Sequence, residues 1–136
     1  MTNYLHINLS KDERMKISSL GLAHLGDAVF EVLVRSWVCM SGTSRIKDLH
    51  KQTVSYVTAP TQARLAERIL GMLSEEEADV FRRGRNAAPH SIPKAATRSQ
   101  YQTATALEAL LGWLWLQDGH DRINQLFAAM MEGEEA

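Results

Sequence analysis

What most limits the fold of this chain is a pair of stretches that are apolar on nearly every helical face and yet hold an acid in their midst. Gly21–Arg35, GLAHLGDAVFEVLVR, has Asp27 near its centre, and Ala104–Leu116, ATALEALLGWLWL, has Glu108 as its only charge. Helices of that composition belong in a core. An ionised carboxylate placed there costs several kcal/mol unless it is paired or bound to a metal. A shared cation explains both acids at once; acids satisfied singly by arginines or by helix-start amides are the alternative.

At 136 residues and 45% hydrophobic, the chain is expected to form one globular domain over 1–136, burying roughly two-thirds of its unfolded surface. The net charge of −1 conceals a local excess of one sign. From Val80 to Leu107 there is no acid, while Arg82, Arg83, Arg85, Lys94 and Arg98 fall within that span, with His90 between them. Bunched positive charge of this kind suits contact with phosphates; a solvated helix end that stabilises its own carbonyls is the plainer reading. Cys39, the one cysteine, excludes an internal disulfide and a multi-thiolate zinc site, fits a reducing compartment, and is expected as a small core residue.

The N-terminal MTNYLHINLSKDERMK lacks the apolar run of a secretory leader. Ala109–Leu116, the longest uncharged apolar run, is far short of the ~20 residues that span a bilayer. The expectation is a cytoplasmic protein with no membrane segment. Residues 1–9 read as a loosely structured lead-in and 132–136 as a short acidic tail.

Between these ends the periodicity is helical throughout, so the class is all-α. Ser10 with Glu13 has capping-box spacing. A main helix is expected from Ser18 or Ser19 to about Cys39, its inward residues Leu22, Leu25, Val29, Val32, Leu33 and Trp37, with Asp27, Glu31 and Arg35 on another face. Further helices are expected over Ile46–Tyr56, from Pro60 through TQARLAERILGML, from a Ser74/Glu77 capping box to Asn86–Pro89, over Arg98–Leu116 and over Asp121–Met131. His90–Ala96 is placed as a loop.

If the two acids do meet, hard oxygen ligands select magnesium or manganese. Such an ion can activate water for in-line attack at phosphorus. Glu31 is a candidate to join the ion directly or through a bound water, although a Glu31–Arg35 pair at i,i+4 spacing competes for it. His24, His50 and His120 lack the spacings of di-iron or zinc-protease helices. Trp113 and Trp115 are expected in the core or at a subunit interface. No phosphate-cradling glycine loop and no Gly-x-Ser-x-Gly motif is present.

Leu25-Gly26-Asp27-Ala28-Val29 resembles the LGDAV core of the ribonuclease III catalytic domain, and Leu107-Glu108-Ala109-Leu110-Leu111-Gly112 resembles its downstream FEALLG motif, with Leu107 in place of phenylalanine. Within that family the chain is most similar to the Mini-III ribonucleases, which lack an appended double-stranded-RNA-binding domain; DLHKQT at Asp48–Thr53, RRGRNA at Arg82–Ala87 and Pro93-Lys94 extend the likeness. The resemblance implies a helical homodimer with the LGDA helices packed together. It implies cleavage of double-stranded RNA with Mg2+, for which Mn2+ can substitute, leaving 5′-phosphate and 3′-hydroxyl ends, on precursor 23S (large-subunit) ribosomal RNA. An accessory ribosomal protein is a further candidate partner. Asp27 and Glu108 match the family's catalytic metal ligands, and Arg82, Arg85, Asn86 and Lys94 match residues expected near the RNA backbone.

The chain departs from full-length ribonuclease III at two places, where Ala23 and Thr105 replace acids. Fewer charged ligands weaken magnesium binding, and the Thr105 hydroxyl is a candidate to hold a metal-bound water. These departures keep open a non-catalytic double-stranded-RNA-binding module of the same fold. A helical protein-interaction module with structural acids is a third reading, one that leaves the basic stretch unexplained.

Overall fold

The computed structural model describes residues 1–42, 45–91 and 94–135. Its helices are α1 (Lys11–Met15), α2 (Ser19–Met40), α3 (Ile46–Val57), α4 (Ala59–Glu67), α5 (Glu75–Ala87), α6 (Arg98–Trp115) and α7 (His120–Met131), with a 3-10 turn at Leu70–Met72. Among the described residues there is no strand, only an isolated antiparallel bridge between Asn8 and Gln117. No helix among them is long and apolar enough to cross a membrane.

The helix starts follow from local chemistry. Ser10 with Glu13, Ser74 with Glu77 and Thr97 with Gln100 form reciprocal capping boxes, each satisfying two backbone donors that a helix start leaves free. Pro60 lies in the first turn of α4, where its missing N–H costs nothing. The helix expected through TQARLAERILGML is shorter than its pattern. It ends at Glu67, and i→i+3 bonds take over, from Arg68 N to Leu65 O and from Ile69 N to Ala66 O. Gly71, a poor helix former, lies just beyond.

α6 is the central helix, packed against α2, α4, α5 and α7. Every residue from Thr103 to Leu114 except Glu108 is buried. Small residues let its neighbours close in. A methyl added at Gly112 would lie 2.1 Å from Leu22 O of α2, and one at Gly84 of α5 would lie 2.7 Å from Ala109 Cβ.

This packing rotates α2 from its expected orientation. Phe30 and Val34, absent from the expected inward set, are fully buried, whereas Val32, a member of that set, is 54% exposed. The stripe that faces α6 runs Leu22, Gly26, Val29, Phe30, Val34, Val38, because Gly26 marks the line of closest approach. Cys39 lies off that stripe and is exposed, which corrects its placement in the core.

Both chain ends are held to the helices. Leu9 N donates to Leu116 O, and the buried Arg14 donates to Leu9 O while its guanidinium sits 4.3 Å above the Trp113 ring. At the other end Glu134 pairs with Arg64 and Arg68. Arg68 Nη1 also donates to Met130 O and Glu132 O. Arg122 of α7 reaches Glu77 of α5 through two hydrogen bonds of 2.8 and 2.9 Å and holds that carboxyl below its usual range.

Gly112→Ala is expected to cost about 3 kcal/mol or more, at the top of the overpacking range, because its methyl would strike rigid backbone. Gly71→Ala, with nothing within 4 Å, should change stability by less than ~0.5 kcal/mol. Denaturant unfolding measures both, and equal effects would contradict the close approach of α2 and α6.

Candidate active site

Where α2 crosses α6, the backbones touch. A Cβ on Gly26 would fall 1.6 Å from Glu108 O and 2.9 Å from Gly112 N, so only glycine permits this contact. Asp27, the next residue on α2, and Glu108 on α6 are thereby brought to one place without either having to reach. The Asp27 carboxylate lies close enough to share a hydrogen bond with Glu108 and to repel its charge.

The two acids are not equally sheltered. Asp27 is exposed and Glu108 half-buried, which corrects the expectation of two acids sunk in a core. On α2 it is Gly26, not its neighbour, that turns inward. Burial pushes the Glu108 carboxyl up to about 8, and the adjacent Asp27 adds to the rise. Two carboxyls so placed cannot both ionise cheaply without a counter-charge.

The sequence reading missed Gln62. It is buried on α4 at 3% exposure, faces Glu108 and pulls its carboxyl back down in part. That approach falls short of a well-formed hydrogen bond, for the buried Nε2 has no partner. A signal was present: Gln62 heads the inward series Gln62, Leu65, Ala66, Ile69, and a lone amide on an apolar stripe needs a polar partner. An acid pair that needs positive charge, beside an orphan donor suited to an anionic or water oxygen, fits a hard divalent cation.

The remaining candidates divide. Glu31 pairs with Arg35 at 3.1 Å, the competing role seen in the spacing. Thr105 is buried, and its hydroxyl donates to Tyr101 O at 2.9 Å, so its one proton is spent within α6 while its oxygen can still accept. Ala23 is buried in the core and offers no ligand.

Of the basic residues, Arg82 is tied to Asp79, as is Arg83 at 3.2 Å. The single Asp79 carboxylate thus engages two arginines and offsets one charge of the cationic stretch. Arg85 and Asn86 are exposed in the last turn of α5, and Lys94 is exposed beyond it. Among the described residues neither Arg85 nor Lys94 has an ion-pair partner. Gly84, beside Arg85, lies against Ala106 and Ala109, so this end of α5 crosses α6 at the turns that bear Glu108. Pro93 lies outside the described residues.

Comparison with known proteins bears on this arrangement. The family model described as "Ribonuclease III domain" matches residues 20–119. The chain is similar to Mini-ribonuclease 3 of Symbiobacterium thermophilum, 39% identical over 85% of this chain and 88% of that one. It is also similar to Mini-ribonuclease 3 of Gloeobacter violaceus, 46% identical over 79% and 77%. A crystal structure of a Fusobacterium nucleatum protein, 32% identical, superposes with a TM-score of 0.82 over 92% of this chain and 95% of that one.

The raised Glu108 carboxyl predicts how stability responds to pH. The folded state keeps a proton that the unfolded chain releases near 4.5. The stabilisation this gives is therefore complete below about pH 4.5 and lost as pH climbs through about 8. In chelator the unfolding midpoint should fall across that interval, and Glu108→Gln should flatten the fall. An identical pH slope in the two proteins would contradict the assignment.

Proposed function

The chain belongs to the ribonuclease III family, on its Mini-III branch, and from that premise we propose that this endoribonuclease cuts double-stranded RNA with magnesium bound by Asp27 and Glu108. The observation that carries the proposal is the backbone contact at Gly26, which brings the two acids together beside an orphan amide donor. Manganese, also a hard oxygen-seeking ion, is expected to substitute.

A bound divalent cation supplies Lewis acidity toward a phosphodiester and makes water a nucleophile at neutral pH. The side chains do the rest. Asp27 and Glu108 bring the negative charge that retains the ion, and Glu108 gives up its proton in doing so. Gln62 Nε2 has a free hydrogen to orient an oxygen at the site. Attack of water in line with the leaving 3′-oxygen leaves 5′-phosphate and 3′-hydroxyl ends.

Recognition falls to Arg85, Asn86 and Lys94, with Arg82 contributing to the extent that Asp79 releases it. A-form duplexes are read by shape, phosphates and 2′-hydroxyls because their major groove is too deep and narrow for side chains. Limited sequence preference follows. Precursor 23S ribosomal RNA, with an accessory ribosomal protein, is the proposed setting in a bacterial cytoplasm.

A homodimer would align two such sites across one duplex. With Phe30 and Val34 in the core, the apolar surface that α2 still offers a second copy includes Leu20 and Val32, together with the groove of Leu33, Trp37, Met40, Phe127 and Met131 between α2 and α7. Patches of this kind on a small domain commonly mark interfaces.

Three experiments test this reading. Purified protein should cut a long RNA duplex with magnesium and not with chelator, and Asp27→Ala or Glu108→Ala should each lower the rate by 10³-fold or more, an order of magnitude taken from loss of a major catalytic group. Duplex binding without cutting, in magnesium and in manganese, would favour the binding-module reading. Affinity should fall steeply with salt, and Arg85→Ala should lower the slope of log K against log salt by about 1; a flat response contradicts phosphate contact. Sedimentation at micromolar concentration is expected to show a dimer, and a monomer would overturn that part.

A further inference from the structure

A second group of ligand-type side chains lies at the opposite end of α6 from its N-terminus. His6 from the N-terminal segment meets Asp118 from the turn between α6 and α7 and His120, the first residue of α7, and one ligand atom from each lies within 4.8 Å of the others. His6 Nδ1 is 2.9 Å from Asp118 Oδ1, and His120 Nε2 is 3.8 Å from the same oxygen. The His6 ring stacks on the His120 ring at 4.8 Å, and His120 stacks in turn on Trp115 at 4.9 Å.

An ion pair between His6 and Asp118 accounts for one of these distances and leaves one fact unexplained. His120 Nε2 is buried without a hydrogen-bond partner, although a buried ring nitrogen normally has one. Asp118 is the one non-glycine residue with positive φ among those described, at 54°, a conformation that persists where surrounding structure holds it. Here Gly119 N to Leu114 O at 2.8 Å closes the turn, and the Asn8–Gln117 bridge delivers His6 to it.

The geometry points to a transition-metal site formed by His6, Asp118 and His120, distinct from the acid pair and suited to zinc. Two imidazoles and one carboxylate match a borderline-soft ion and not magnesium. Ligands at about 2.0–2.2 Å around a tetrahedral ion stand ~3.3 Å apart. The observed 2.9 and 3.8 Å to Asp118 bracket that spacing, and the widest pair, up to 4.8 Å, closes by about 1.5 Å once the two stacked imidazoles turn out of parallel so that both lone pairs meet the ion. His120 Nε2 gains its missing partner, and water takes the fourth position. The bound ion ties residues 1–9 to the α6–α7 turn.

The test is calorimetric titration of the untagged full chain with zinc in excess magnesium, repeated with cobalt and read by its visible d–d bands. One ion per chain is expected, with the absorption of a tetrahedral site. His6→Ala should weaken binding at least 100-fold, as should Asp118→Asn, while Asp27→Ala leaves it unchanged. His6 is 59% exposed in its side chain, so its replacement does not threaten the fold. Zinc affinity equal in wild type and His6→Ala overturns the site. Loss of zinc binding in Asp27→Ala overturns it equally, by assigning the ion to the acid pair.

Discussion

The contact of two helix backbones at Gly26 and Gly112 is the constraint on which the rest of this molecule depends. Most helix pairs stand 8–10 Å apart, held off by side chains. Here a methyl on Gly26 or Gly112 would overlap the carbonyl oxygen of the other helix, so α2 and α6 lie as close as backbones allow. That closeness buries Leu22, Phe30 and Val34. It also makes short, exposed Asp27 a neighbour of Glu108. A longer gap would leave each acid to solvent.

Electrostatics completes what packing begins. Glu108 sits in apolar surroundings that penalise its charge, and Asp27 adds a second negative group beside it. A cation relieves both costs at once. The same helix, α6, receives the C-terminal end of α5 through Gly84, so unpaired cationic groups border an acidic centre. The proposed function assigns polyanion to the rim and metal to the centre, a division of labour that suits hydrolysis of a charged backbone.

The helices, their caps and the two acids were legible in the sequence because they depend on local periodicity and on motifs a few residues long. Ser10, Ser74 and Pro60 act as their spacing indicated. The orientation of α2 was not legible. Leu25, Val32 and Leu33 compete with Phe30 and Val34 for the inward face, and only contact at Gly26 decides between them. Glu134 looked like free tail, yet it is held by arginines about 70 residues away. Gln62 signalled its place only through its position at the head of the series Gln62, Leu65, Ala66, Ile69, and its side chain was passed over. His6 and His120 are joined across 114 residues, a distance no local pattern spans.

Manganese-induced broadening of assigned NMR signals tests the central claim most directly, since it locates the ion without requiring activity. The account predicts selective loss of the Gln62 side-chain amide and of backbone amides around Gly26–Asp27 and Glu108, abolished in Glu108→Gln. Broadening that spares those signals, or that persists unchanged in the variant, would contradict a metal centre at the crossing of α2 and α6.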